Sequence, residues 1–383
     1  MERIYLDHNA TTPVDPRVLE AMLPALREGF GNASSLHWFG QQARAALDDA
    51  RAEVARLIGA NPAEIVFTSS GTEADNLAVR GAAGIARPPR RGIVYSALEH
   101  HAVMNTARSL GEEGWPVASV RAGADGVIDM EELASKVDDT TALVAVMLAN
   151  NETGVIQPVE EAVRLAHARG ALVHCDAVQA AGKMKIDVRA LDVDLLALSG
   201  HKIYAPKGVG VLYVKRGTRL RPWVRGGAQE RNRRAGTENI PGIVGMGRAA
   251  AIAREELAAL SPRLAALRDR LEERLLAIPG TRRNGDGPRV PNTTNVSFAG
   301  IEAESLLMAL DLAGIAVSTG AACAAGAVEP SHVLRGMGLP MERVQGSVRF
   351  SLGRATGEEQ IDRAAETVAT AVARQRSLAV TSR

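Results

Sequence analysis

Only two cysteines, Cys175 and Cys323, occur in 383 residues. Two thiols cannot build a disulfide framework or fill a zinc site alone, and such sparse use matches a reducing compartment. Charge of one sign is also missing: 45 Lys and Arg against 44 Asp and Glu leave a formal net charge of +1. That balance gives no reason to expect a polyanionic partner. No apolar run approaches the roughly 20 residues of a membrane span. The opening Met1-Glu2-Arg3-Ile4-Tyr5-Leu6-Asp7 lacks the apolar core of a secretory signal. Neither an internal repeat nor a low-complexity tract is present beyond a general alanine bias. The expectation is a soluble cytoplasmic protein that binds neither membrane nor nucleic acid directly. Its length suits one large α/β domain and a smaller one.

What is present is an alternation. Short apolar runs at 64–68, 92–96, 142–148, 171–175, 194–198 and 208–214 predict strands, with amphipathic stretches such as 74–85 and 159–168 between them. This pattern predicts a mostly parallel sheet covered on both faces. Residues 36–58 predict a long early helix, and 240–277 predict a longer one that carries the chain from the large domain to the small. Beyond it, strands at 294–298, 315–318 and 347–352 mix with helices at 302–312 and 357–373, which predicts an α+β domain. The polar tail after Gln375 predicts a frayed end.

Two of the apolar runs end in groups with chemistry. The run 194–198 passes through Ser199-Gly200-His201 to Lys202, and Val173-His174-Cys175 delivers Asp176. A lysine able to form a Schiff base and an aspartate able to keep a pyridine nitrogen protonated are what pyridoxal phosphate requires of its protein. The 26 residues between them leave room for one crossover. Lys183 and Lys185, in a polar loop, and Lys207, at a glycine-rich turn, compete less well. Ser70-Gly71-Thr72-Glu73 follows a strand and opens a helix, which makes an anion site suited to a phosphate. Gln179 lies one helical turn beyond Asp176, within reach of a phenolic oxygen, and Ser199 and His201 offer further donors.

His100, after the strand 92–96, can stack on an aromatic ring and carry protons. Asn150 and Asn151 end an apolar run where an amide can orient a carboxylate, and Arg349 interrupts a later strand as a two-pronged carboxylate binder. Taken singly, each has an ordinary explanation: a helix cap, a structural histidine, a surface arginine. Cys323 lies in Ser318-Thr319-Gly320-Ala321-Ala322-Cys323-Ala324-Ala325, a segment with little to anchor it, which predicts a mobile loop carrying a thiol. Cys175 reads as a buried small hydrophobe.

Assembled, these residues resemble the cysteine desulfurases of the NifS/IscS group, within the class V aminotransferase-like pyridoxal phosphate enzymes. The resemblance rests on Tyr5-Leu6-Asp7-His8-Asn9-Ala10-Thr11-Thr12, Ser70-Gly71-Thr72-Glu73-Ala74-Asp75-Asn76, Asn150-Asn151-Glu152-Thr153-Gly154, Arg234-Ala235-Gly236-Thr237-Glu238-Asn239 and Glu329-Pro330-Ser331-His332. It implies an α/β chain of the fold type I pyridoxal phosphate-dependent transferases, with a mostly parallel seven-stranded sheet and a small α+β domain. Residues 1–15 would join the small domain, 16–255 form the large one, and 256–383 the small one with the cysteine loop. By the same resemblance Lys202 binds pyridoxal 5'-phosphate covalently, Asp176 and Gln179 hold its ring, and His100 stacks on it. Gly71, Thr72, Ser199 and His201 bind phosphate, joined by Thr237 from the partner of a homodimer. Asn150 contacts cofactor or substrate, Arg349 with Asn32 binds the carboxylate of L-cysteine, and Cys323 takes the sulfur as a persulfide. Acceptors would be an iron–sulfur scaffold or a sulfur carrier protein. No metal is intrinsic, although Cys323 could ligate an iron–sulfur cluster transiently with a scaffold. Alanines at 321, 324 and 325 depart from the hydroxyl-rich loop of the group. A selenocysteine lyase, a class V aminotransferase and a non-catalytic sulfur-relay adaptor are the alternatives.

Overall fold

The computed structural model describes residues 3–320, 323–324 and 327–381, apart from the side chains of 323–324, 327–328 and 379–381. A two-residue strand β1 (Ile4–Tyr5) precedes helices α1 (Pro16–Arg27) and α2 (Trp38–Leu57). Then come the sheet strands β2 (Ile65–Thr68), β3 (Gly92–Ser96), β4 (Val117–Val120), β5 (Thr141–Ala145), β6 (Leu172–Asp176), β7 (Leu195–Ser199) and β8 (Gly210–Val214). Helices α3 (Gly71–Ala83), α4 (His101–Glu112), α5 (Met130–Lys136), α6 (Val159–Ala168) and α7 (Val188–Leu191) connect them.

The seven strands lie in the order β2-β8-β7-β6-β5-β3-β4. β8 runs antiparallel to both neighbours, and the remaining pairs are parallel. Successive residues of each strand feed opposite faces. Phe67, Val94, Val144, Val173, Leu196 and Val211 join the core on one side, while Val66, Ile93, Leu143, Leu195 and Leu212 join the core on the other. β4 escapes the apolar pattern because it is a half-exposed edge strand with Ala118 and Ser119 at its centre.

Helix α8 (Ile240–Leu276) gives residues Ile240 to Ala253 to the sheet core and Leu264 to Leu275 to a second core. That second core is built on β9 (Thr281–Arg283), β10 (Thr293–Phe298) and helix α9 (Ala303–Leu312). Further on come β11 (Ile315–Ala316), β12 (Cys323–Ala324), β13 (Ala327–Val328), α10 (His332–Gly336), α11 (Met341–Gln345), β14 (Ser347–Ser351) and α12 (Glu358–Thr381). β1 pairs in parallel with β11, so the first residues are built into this second unit.

Two expectations are corrected here, and one helix is added. α1 went unread from the apolar pattern, although Asp15 caps it and Pro16 opens it. The tail is not frayed after Gln375: α12 runs to Thr381, held by Arg376 on the carbonyls of Pro279 and Ala299. Finally, Cys323 and Val328 are paired antiparallel in β12 and β13, where a segment without regular structure was expected.

Candidate active site

A cavity of about 340 Å³ opens where the carboxyl ends of β2, β3, β5, β6 and β7 meet the second unit. Crevices of this kind, at the carboxyl ends of sheet strands, are where open α/β folds bind ligands. β7 ends at Ser199, and the turn Gly200–Lys202 swings Lys202 into the cavity. Only glycine fits at 200, since a Cβ there would lie 2.8 Å from Val209 Cγ1. Lys202 Nζ donates to the carbonyls of Asn9 at 2.5 Å and Ala10 at 2.7 Å. Burial, with the charge of Arg349, brings its pKa down to about 8.

Asp176, the last residue of β6, accepts a 2.9 Å hydrogen bond from the Val178 N–H and is 6% exposed. Burial raises its pKa to about 6 against that hydrogen bond and the nearby Lys202 charge. Asp75, on the first turns of α3, also reaches the cavity, and its Oδ1 lies 3.0 Å from Nε2 of the buried His174. Burial and the Asp176 charge push the Asp75 carboxyl well above the carboxylate range. Sequence reasoning gave Asp75 no role. A charged residue inside the apolar face Ala74, Leu77, Ala78 was the available signal.

Ser70 caps α3, accepting from Glu73 N at 3.1 Å, and Gly71 and Thr72 line the cavity. Gly71 is pressed against the neighbouring elements, for a Cβ would lie 3.1 Å from Val178 Cγ2 and 3.2 Å from Ser199 Cβ. The free N–H groups of this helix start therefore face the cavity near Ser199, an arrangement suited to an anion. His201 lines it too, with Nδ1 3.1 Å from Thr11 Oγ1 and a pKa lowered to about 4 by burial and by Lys202 and Lys207.

His100 combines its ordinary and its functional readings. Its Nδ1 accepts from the Ala102 N–H at 3.1 Å as the cap of α4, which leaves Nε2 to the cavity it lines. Desolvation and the Lys202 and His101 charges lower its pKa to about 4, so the ring is neutral at neutral pH. Gln179 lines the wall beside Asp176. Arg349, on β14, donates from Nη2 to Asp7 at 2.7 Å and from Nη1 to Asn151 O at 2.9 Å. Glu152, missed from the sequence, is a buried carboxyl on the same wall that accepts a 2.5 Å hydrogen bond from Ser331 Oγ. Burial raises its pKa to about 7.

Three expected residues are not on this wall among the described residues. Asn150 is fully buried: its Oδ1 accepts from the N–H groups of Glu152 and Thr153, and its Nδ2 donates to Leu98 O. It shapes the loop, and its neighbour Asn151 faces the cavity instead. Asn32 is exposed, with Oδ1 accepting from Ser34 N at 2.8 Å in a local turn. Thr237 is exposed and separate from this cavity. Ser318 and Gly320 line the cavity just before the cysteine segment, while the Cys323 side chain lies outside the described residues. Lys183, expected in a polar loop, is buried.

The donor set fits pyridoxal 5'-phosphate. Within one cavity it offers an amine of lowered pKa, a carboxyl for a ring nitrogen, a flat imidazole and a helix N-terminus for phosphate.

Comparison with known proteins identifies the family. The aminotransferase class-V family model matches residues 4–364. A cysteine desulfurase of Trichormus azollae is 50% identical over 380 residues, covering 99% of this chain and 95% of that protein. The cysteine desulfurase NifS of Azotobacter vinelandii is 48% identical over 381 residues, covering 99% and 94%. The solved structure of a NifS-like protein superposes with a TM-score of 0.91 at 39% identity, covering 97% of this chain and 99% of that one. The chain belongs to the aminotransferase class-V family, among its NifS-like cysteine desulfurases.

Proposed function

We propose that the protein is a pyridoxal 5'-phosphate-dependent cysteine desulfurase. L-Cysteine and the Cys323 thiol give L-alanine and a Cys323 persulfide: the substrate C–S bond breaks, an S–S bond forms, and the carbon that loses sulfur gains a proton. The observation that carries the reading is the convergence of Lys202 and Asp176 on one cavity beside the start of α3.

When bound, the cofactor supplies an electron sink that weakens bonds at the substrate's α- and β-carbons. Lys202, Asp176, Gln179 and His100 would hold it, with Gly71, Thr72, Ser199 and His201 around its phosphate. Arg349 binds the substrate carboxylate through a guanidinium already fixed by Asp7 and Asn151. Lys202, with a pKa of about 8, can take and return a proton near neutral pH. His100 is neutral there, and its Nε2 is free to move a proton in the cavity. Cys323 receives the sulfur.

Thr237 is proposed to reach the phosphate in the partner subunit of a homodimer, and Asn32 to assist Arg349 from its exposed turn. The division into 1–15, 16–255 and 256–383 is proposed likewise, supported by the two buried halves of α8. No helix among the described residues is long and apolar enough to cross a membrane. A cytoplasmic site of action is proposed, with an iron–sulfur scaffold or a sulfur carrier as acceptor.

The test is Cys323→Ala. The variant keeps the colour of bound cofactor and loses sulfur release from cysteine. Alanine and sulfide formed at the wild-type rate by this variant would refute the persulfide role.

A further inference from the structure

Behind the cavity wall lies a buried amine that the reaction above leaves unused. Lys183, in the loop between β6 and α7, is 7% exposed. Its Nζ donates to Gln179 Oε1 at 2.5 Å and to Asn9 Oδ1 at 3.0 Å. Both acceptors are neutral amide oxygens, and no ion pair to Lys183 occurs among the described residues. The charged groups that act on it are Lys202 and Arg349. His8, Tyr204 and Arg354 share a small adjoining cavity with it. Burial and these cations push its pKa well below the ordinary lysine value.

This arrangement locks Gln179. Its Oε1 meets the Lys183 donors, and its Nε2 donates to the Asn9 carbonyl at 3.0 Å. An amide turned over would set its carbonyl against the Asn9 carbonyl, and against a protonated Lys183 it would set N–H against N–H as well. One N–H of Nε2 is spent on Asn9, which leaves the other for a ligand in the cavity that Gln179 lines. Asn9 is tied into the same group. Its Oδ1 takes Lys183 and Asn292, its Nδ2 donates to Asn151 O and Thr293 Oγ1, and its carbonyl takes Lys202.

We propose that Lys183 is a positioning residue for the bound cofactor: it fixes Gln179 as a hydrogen-bond donor toward the ring oxygen and anchors Asn9 beneath Lys202. This rests on the pyridoxal phosphate reading above. A donor beside an anionic oxygen opposes protonation of the bound cofactor. Losing Lys183 frees the amide and removes that opposition, so the pH midpoint of the cofactor's colour change rises.

The experiment titrates the visible absorption of the loaded enzyme with pH, for wild type, Lys183→Met, Gln179→Leu and the double variant. Lys183→Met is expected to raise the midpoint by about one pH unit, the scale of one hydrogen bond to a charged group. The double variant is expected to match Gln179→Leu alone, because the effect runs through Gln179. Methionine fills the space of the lysine stem and removes a buried amine that has no counterion. The Lys183→Met melting temperature is therefore expected close to that of wild type, the lost hydrogen bonds to Gln179 and Asn9 offsetting the removal of the buried amine. Lys183→Gln, which keeps a donor, recovers part of the shift and answers the question if the methionine variant does not fold.

An unmoved midpoint in both Lys183 variants, or shifts that simply add in the double variant, would overturn the proposal and leave the desulfurase reading standing. A lowered melting temperature with an unmoved midpoint makes Lys183 merely structural, with the same consequence. Wild-type protein that stays colourless after cofactor is added sinks both.

Discussion

Arg349 Nη2 stands 2.7 Å from the Asp7 carboxylate, and with Nη1 on Asn151 this leaves Nε as a buried donor without a partner among the described residues. The guanidinium is thus held by two groups before substrate arrives, with Nε–H among the donors still uncommitted. Lysine cannot reproduce that fork. Arg349→Lys is predicted to raise KM for cysteine by about 10- to 100-fold, the equivalent of one hydrogen bond to a charged group. Cofactor colour should not change. Steady-state alanine formation measures this, and an unaltered KM would remove Arg349 from substrate binding.

Lys202 supplies the amine on which the chemistry turns, and its removal should be felt twice. Lys202→Ala is predicted to lose turnover by at least roughly 10³-fold and to lose cofactor on gel filtration. A coloured, active Lys202→Ala enzyme would assign the covalent role to another lysine.

Glu152 links stability to pH. Its carboxyl ionises near 4.5 in the unfolded chain but holds its proton to about 7 when folded. Between those values the folded state binds more protons, so this group's contribution to stability falls as pH rises and levels off above about 7. Glu152→Gln keeps an acceptor for Ser331 and has no such titration. The stability of wild type relative to this variant is predicted to fall by up to about 3 kcal/mol between about pH 4 and pH 8. Urea unfolding across that range measures it, and parallel curves would show that Glu152 ionises normally.

Arg51 and Glu230 form a two-pronged buried pair, at 2.8 and 2.7 Å, that fastens α2 to the loop leading toward Thr237. Glu230 also accepts from the Phe67 N–H at 2.9 Å. Arg51→Met strands a buried carboxylate and is predicted to destabilise by about 3–5 kcal/mol. Replacing both partners with apolar residues should cost less. Thermal unfolding of both variants against wild type decides between these outcomes.

The residues legible from sequence are those that end a buried strand. Asp176 and Lys202 stand out because apolar runs stop at them, and α6 was bounded at both ends by its own periodicity. Legibility failed where a contact spans the chain. Nothing near residue 9 shows that its carbonyl meets an amine 193 residues later. Lys183 lies between Gly182 and Met184 with Lys185 close by, a stretch that reads as a polar loop on its lysines alone, yet it folds inward so that the Lys183 amine meets Asn9 and Gln179. Asn150 and Asn151 differ only in which way an irregular loop turns them, and no period exists there to read. Asp15 before Pro16 was a helix-start signal that the apolar pattern alone passes over.

The β1 pairing with β11 and the grip of Asn9 and Ala10 on Lys202 set an order of assembly. While the chain is still emerging from the ribosome, β1 has no strand partner among the described residues until residues 315 and 316 are made, and the Asp7 carboxylate has no ion-pair partner among them until Arg349 follows. The lysine pocket can therefore close only once residue 349 has been made, and a nascent chain halted before it leaves the cofactor a floor without its front wall.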